Sequence, residues 1–233
     1  MLILFPLRLK PRDPDRGWPI ANLVLIALNV LSFLCLCLFD WWWPVGPRTG
    51  LLSPLLYGFT HVSFWHLLFN MWALWVFGNP VNRRLGNVFY LLTYLGTVLA
   101  LGILARICCY GNVVGASGAI FAVISIAALL MPAGLLTIGY GAIFPVSLLI
   151  GLLRKPKYGI YWFLCGGEFS VRAFWCLVFI PILEIPTLFF ALWYGGSVWN
   201  LGHLLGMVCG VIAVLLLPTR ITMKNRRPGG LAL

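Results

Sequence analysis

Along this chain, long apolar runs alternate with short basic clusters. Six stretches are almost wholly apolar: residues 20–39, 64–77, 88–105, 117–136, 174–194 and 201–217. A helix needs ~20 mostly apolar residues to cross the hydrocarbon core. Lipid tolerates no unpaired backbone, so such stretches are expected as helices. The pattern predicts an all-α membrane protein: a bundle of six transmembrane helices in a single domain over residues 1–233. The second run is short because Thr60, His61 and Ser63 occupy its outer end. Between and around the helices lie an N-terminal segment (1–17), an extended connection (132–172) and a basic tail (218–233). The first apolar run is too long for a signal-peptide core, so it is expected to be a retained span.

Composition agrees with the pattern. Of 233 residues, 62% are hydrophobic and 9% charged, against roughly 25% charged in soluble domains. A net charge of +11 could suggest nucleic acid, but the distribution of the basic residues excludes that partner. Fourteen of the sixteen Lys and Arg fall at the N-terminus, between the second and third runs, between the fourth and fifth, and at the C-terminus. Only Arg48 and Arg106 lie on the other side. The positive-inside rule then places both termini in the cytoplasm. Residues 140–153 tempt a seventh span but are too few to cross. They are expected to lie in the cytoplasmic interface, or to dip in and return, with Lys157 on the cytoplasmic side. The seven cysteines form no CxxC pair and read as small buried apolar residues.

Three polar islands interrupt the apolar runs. His66 and Asn70 lie four residues apart, on one helix face. Gly115-Ala-Ser117-Gly118 opens the fourth helix, and Gly202-His203 lies near the start of the sixth. With the topology above, all three sit at similar depth near the outer leaflet. A serine hydroxyl becomes a nucleophile when a base takes its proton, and a neutral imidazole can be that base. His66, the Asn70 amide and the Ser117 N–H can supply donors for an oxyanion. Gly202, Gly206 and Gly210 recur every four residues, a small-residue stripe that lets another helix approach. On this reading, valine at position 206 should cripple activity and alanine should be milder. Glu184 lies between Pro181 and Pro186 in the fifth helix. It reads either as a neutral hydrogen-bonded group or as a group lining a wet cavity.

HxxxN, then GASG, then GHxxGxxxG, in this order, resemble the rhomboid intramembrane serine proteases. The likeness runs from about Phe59 to Leu217 and includes Thr60-His61 and Gly78 through Gly86. It implies a dyad of Ser117 as nucleophile and His203 as general base, without a third carboxylate. It implies an oxyanion and substrate-binding site from His66, Asn70, Gly115 and the Ser117 N–H. Phe121 stands where an aromatic stacks near the catalytic histidine, and His61 where a histidine holds the structure. Two departures are Leu52 to Leu56, where many members carry a Trp-Arg pair, and Asn82 in place of a common glutamate. The implied activity is cleavage of single-span membrane proteins within the lipid bilayer, with no cofactor and no metal. The expected setting is the plasma membrane of a prokaryote. Two alternatives remain: a non-catalytic rhomboid-like protein that binds client segments, and a transporter, which would need charged residues paired across helices.

Overall fold

A computed structural model describes residues 2–12, 17–40, 42–46, 49–108, 113–143, 146–154, 164–194 and 199–218. Arg16, Trp41, Arg48, Cys109, Lys155, Lys157 and the tail from residue 219 lie outside the described residues.

In chain order the elements are β1 (Leu2–Lys10), α1 (Ile20–Phe39), the short α2 (Ser53–Leu56), α3 (Phe64–Ala73), α4 (Asn79–Leu85), α5 (Asn87–Cys108), α6 (Ser117–Leu130), β2 (Leu135–Ile143), α7 (Val146–Arg154), β3 (Leu164–Arg172), α8 (Cys176–Tyr194) and α9 (Trp199–Leu216). Among the described residues, four helices are long and apolar enough to cross a membrane: α1, α5, α8 with its leading turn, and α9. Helix α6 is apolar but shorter, at 14 residues. The fourth apolar run reaches residue 136, but its helix does not. It stops at Leu130, because Pro132 disfavours helical backbone at the residue before it. The chain then turns through a Gly134 N–H to Met131 carbonyl bond of 2.9 Å.

The all-α expectation is corrected by a three-stranded antiparallel sheet in the order β1-β2-β3. Leu2 to Lys10 pairs with Ala142 to Leu135, with an irregularity between Pro6 and Arg8. Leu135 to Ile143 pairs with Arg172 to Leu164. Leu7-Arg8-Leu9-Lys10 alternates with the period of a strand, and Leu9 is buried. The N-terminal segment and the long connection thus share one structure. It docks on α3, where Trp72 stacks on Phe5 at 5.0 Å and donates its indole N–H to the Pro6 carbonyl at 2.6 Å. Residues 140–143 belong to this sheet and α7 has nine residues. At 1.5 Å rise per residue, such a helix is less than half the length a crossing needs.

Helix α1 is anchored by amides. Its N-cap residue, Pro19, makes no side-chain cap, so the first N–H groups need partners from elsewhere. Asn87 Oδ1 accepts from the Ala21 N–H at 3.1 Å, and Asn82 Oδ1 from the Asn22 N–H at 3.0 Å. Between α3 and α4 the helix widens into a π turn over Leu74–Gly78. Pro80, in the first turn of α4, has no N–H to continue the ladder. Within the π turn, the Leu74 carbonyl accepts from Asn22 Nδ2 at 2.9 Å. The same amide group donates to Asn79 and accepts from the Tyr90 hydroxyl at 2.6 Å. Asn22→Ala removes three side-chain hydrogen bonds from a fully buried site. It should lower stability by about 1–3 kcal/mol, read as a lower thermal unfolding midpoint in detergent. An unchanged midpoint would show that this network does not hold α1.

Candidate active site

Helices α6 and α9 cross with their backbones almost touching. A Cβ built on Gly206 would overlap the Gly118 carbonyl, and one on Gly210 would lie 2.9 Å from Ala122 Cα. A Cβ on Gly118 would lie 3.4 Å from the Gly202 carbonyl oxygen. Ser117 and His203 each sit one residue from this contact. Phe121, one turn after Ser117 on the same face of α6, stacks on the His203 ring with centroids 4.0 Å apart and planes 8° from parallel. Trp199 meets the ring edge-on at 4.9 Å. The imidazole is therefore held flat against the face of α6 that also carries Ser117.

The second island comes to the same place. Ser63 caps α3 by accepting from the His66 N–H at 3.2 Å. Gly115 has φ +112°, which side-chain-bearing residues rarely adopt. A Cβ there would lie 2.7 Å from His66 Cε1 and 3.9 Å from Asn70 Nδ2. The loop entering α6 thus runs directly against His66 and Asn70, and its position is fixed by a Gly115 N–H to Tyr57 carbonyl bond of 2.9 Å. His66 Nδ1 and Asn70 Nδ2 are buried without a hydrogen-bond partner among the described residues. Unpaired buried donors are costly, and a site that receives a developing anion is one place where they are useful. His61 is fully buried and meets His66 edge-on at 4.9 Å.

One residue of the site was not assigned by sequence. Glu184 of α8 places Oε1 3.0 Å from His203 Nδ1. Its other oxygen accepts a short hydrogen bond from Asn200 Nδ2, and Asn200 also donates to the Thr187 hydroxyl at 2.8 Å. Of the two readings offered for Glu184, the structure bears out a hydrogen-bonded group, and the resemblance assigned no carboxylate to the place it takes beside His203. The proline spacing and the isolated charge were the available signals; neither says which way the side chain turns.

The Rhomboid domain model matches residues 49–220. The chain belongs to the rhomboid family. It is 35% identical over 91 residues to the mitochondrial Rhomboid protein 1 of Saccharomyces cerevisiae, covering 36% of this chain and 26% of that protein. It is 32% identical over 100 residues to the mouse presenilin-associated rhomboid-like protein of mitochondria, 40% of this chain and 26% of the relative. It is 36% identical over 88 residues to YdcA of Bacillus subtilis, provisionally named a rhomboid protease, 35% of this chain and 37% of the relative. The matched part thus spans between 26% and 37% of these relatives' lengths. With its membrane-spanning helices, this rhomboid is an integral membrane protein. The departures at Asn82 and at Leu52 to Leu56 have structural uses. Asn82 caps α1, and its Nδ2 donates to Asn87 at 3.0 Å. Pro54 packs its backbone on Gly102 of α5.

The Gly118–Gly206 contact leaves no room for alanine either, so the milder outcome expected for that change is revised. Gly206→Ala should cost about 1–3 kcal/mol of stability, as overpacking does, and should lower activity by separating α6 from α9. Unchanged activity and melting in this variant would show that the two backbones are not in contact.

Proposed function

We propose that this rhomboid is an intramembrane serine endopeptidase acting on transmembrane segments of other proteins. One observation carries the reading: the α6–α9 crossing that presses the His203 ring, stacked on Phe121, against the face bearing Ser117. In this reading His203 takes the Ser117 proton and returns it to the leaving amine. His66, Asn70 and the Ser117 N–H receive the oxyanion, and Gly115 lets the loop come close. The family and a Bacillus relative named for protease activity support the assignment. The full arrangement is six spans, with α3–α4 and α6 joining the four longer helices and both termini in the cytoplasm. A prokaryotic plasma membrane is the proposed location. No cofactor enters the chemistry.

Ser117→Ala should abolish cleavage of a single-span substrate and labelling by a fluorophosphonate probe, with an unchanged melting profile. Asn70→Ala should retain activity reduced by about 10²–10³-fold, the usual effect of losing one oxyanion donor. Full cleavage by Ser117→Ala would end the protease reading. Topology has a separate check. A single cysteine at position 157, in a cysteine-free background, should resist an impermeant maleimide added outside intact cells, and labelling there would refute the six-span arrangement.

A further inference from the structure

We propose that Glu184 is a positioning residue for the serine–histidine chemistry, so that the site works as a Ser117–His203–Glu184 relay. The inference rests on the protease reading above. Three observations carry it. The carboxylate meets Nδ1 of His203, the nitrogen on the edge opposite Nε2, at 3.0 Å. Its side chain is only 13% exposed and that of His203 10%, so the contact is shielded from competing water. The carboxylate is itself fixed, because Asn200 donates to its second oxygen while also bonding Thr187, one turn along α8.

The chemistry follows from the imidazole's two nitrogens. A neutral histidine carries one proton, and the partner of one nitrogen decides where it sits. In the proposed relay Glu184 is the acceptor, so Nδ1 donates to it and Nε2 carries the lone pair. Nε2 is then the nitrogen left to take the Ser117 proton as Oγ bonds the scissile carbonyl carbon. The imidazolium formed is paired at once with Glu184. It gives the Nε2 proton to the amine nitrogen as the C–N bond breaks. Water then releases the acyl group by the same two transfers in reverse roles. In this relay Glu184 orients the imidazole and exchanges no proton.

The arrangement also gives a use to a polar group that apolar packing would not place here. A carboxylate within a membrane helix is costly. Helix α8 buries little of itself, with 6% of its apolar window inside the protein. A leucine at 184 would suit that lipid-facing helix better than a glutamate. Asn200 and His203 lie three residues apart on α9, so one face of that helix presents both partners to the carboxylate.

The test uses the full-length protein with a single-span substrate and the fluorophosphonate probe, comparing wild type, Ser117→Ala and Glu184→Gln. Glutamine keeps the shape of the side chain. Its oxygen can still accept from Asn200, which turns its NH2 towards His203 and forces Nδ1 to accept. The proton then moves to Nε2, which can no longer act as a base. We expect kcat to fall by at least about 100-fold, in line with the cost of a wrong histidine tautomer in a soluble serine protease. KM should be nearly unchanged and probe labelling should slow in parallel. The chain has three histidines, so nitrogen-15 spectra can follow His203 directly. Wild type should show Nδ1 protonated and Nε2 bare, and Glu184→Gln the reverse. Wild-type kcat in Glu184→Gln would overturn the proposal. So would a wild-type spectrum with the proton on Nε2, a readout that needs no variant to fold. Residual full cleavage by Ser117→Ala would instead bring down the protease reading beneath it.

Discussion

The site depends on how closely two helix backbones approach. Between helices in lipid there is little hydrophobic drive, so association rests on close packing and on polar contacts. The α6–α9 pair meets through Gly118 against Gly206 and Ala122 against Gly210. At that distance, a side chain one residue from the contact on each helix falls within reach of the other. The stacking of Phe121 on His203 is a consequence of the approach as much as a support for it. Without glycine at 206 the helices would separate by the width of a methyl group, and the proton transfer proposed for His203 would not tolerate such a displacement.

The rest of the bundle gives this crossing a fixed frame. Asn22, Asn79, Asn82, Asn87 and Tyr90 tie α1, the π turn and α5 into one buried polar network. Two of its bonds satisfy uncapped N–H groups at the start of α1, one reaches the Leu74 carbonyl in the π turn, and the rest join the side chains to one another. The sheet adds a second brace, through Phe5 and Pro6 on Trp72. The polar groups of α3 are thus held at both ends. Ser63 caps the end near His66, and the π turn begins four residues after Asn70.

Much of this was legible in sequence, and the reasons are physical. Apolar runs of membrane length mark helices, because lipid leaves the backbone no other solution. Glycines at spacing four marked the α9 face, and the HxxxN spacing put two polar groups on one turn. The sheet was missed because Arg8 and Lys10 carry two signals at once. Read as topology charges they mark a cytoplasmic segment, and read as the polar half of a period-two pattern they mark a strand. The strand also pairs with residues more than 120 positions away, which local pattern cannot show. The role of Asn82 was hidden for the same reason, since its partner is the start of α1, sixty residues earlier.

Glu184 is the most instructive case. A lone carboxylate in an apolar helix announces that something in the membrane must receive it, but sequence cannot say what. The answer lies on α9, where Asn200 and His203 are the polar groups facing α8. Helix α8 carries two internal prolines and little buried surface, so apolar packing gives it weak grounds for one position. The hydrogen bonds that Asn200 donates to Glu184 and Thr187, with the His203–Glu184 contact, supply specific ones. The group that would orient the histidine is therefore also one that seats α8 against the bundle. In such an arrangement the histidine is held in its working tautomer only while α8 is seated. Any segment that approaches the site from the α8 side must leave that contact intact for the chemistry to proceed.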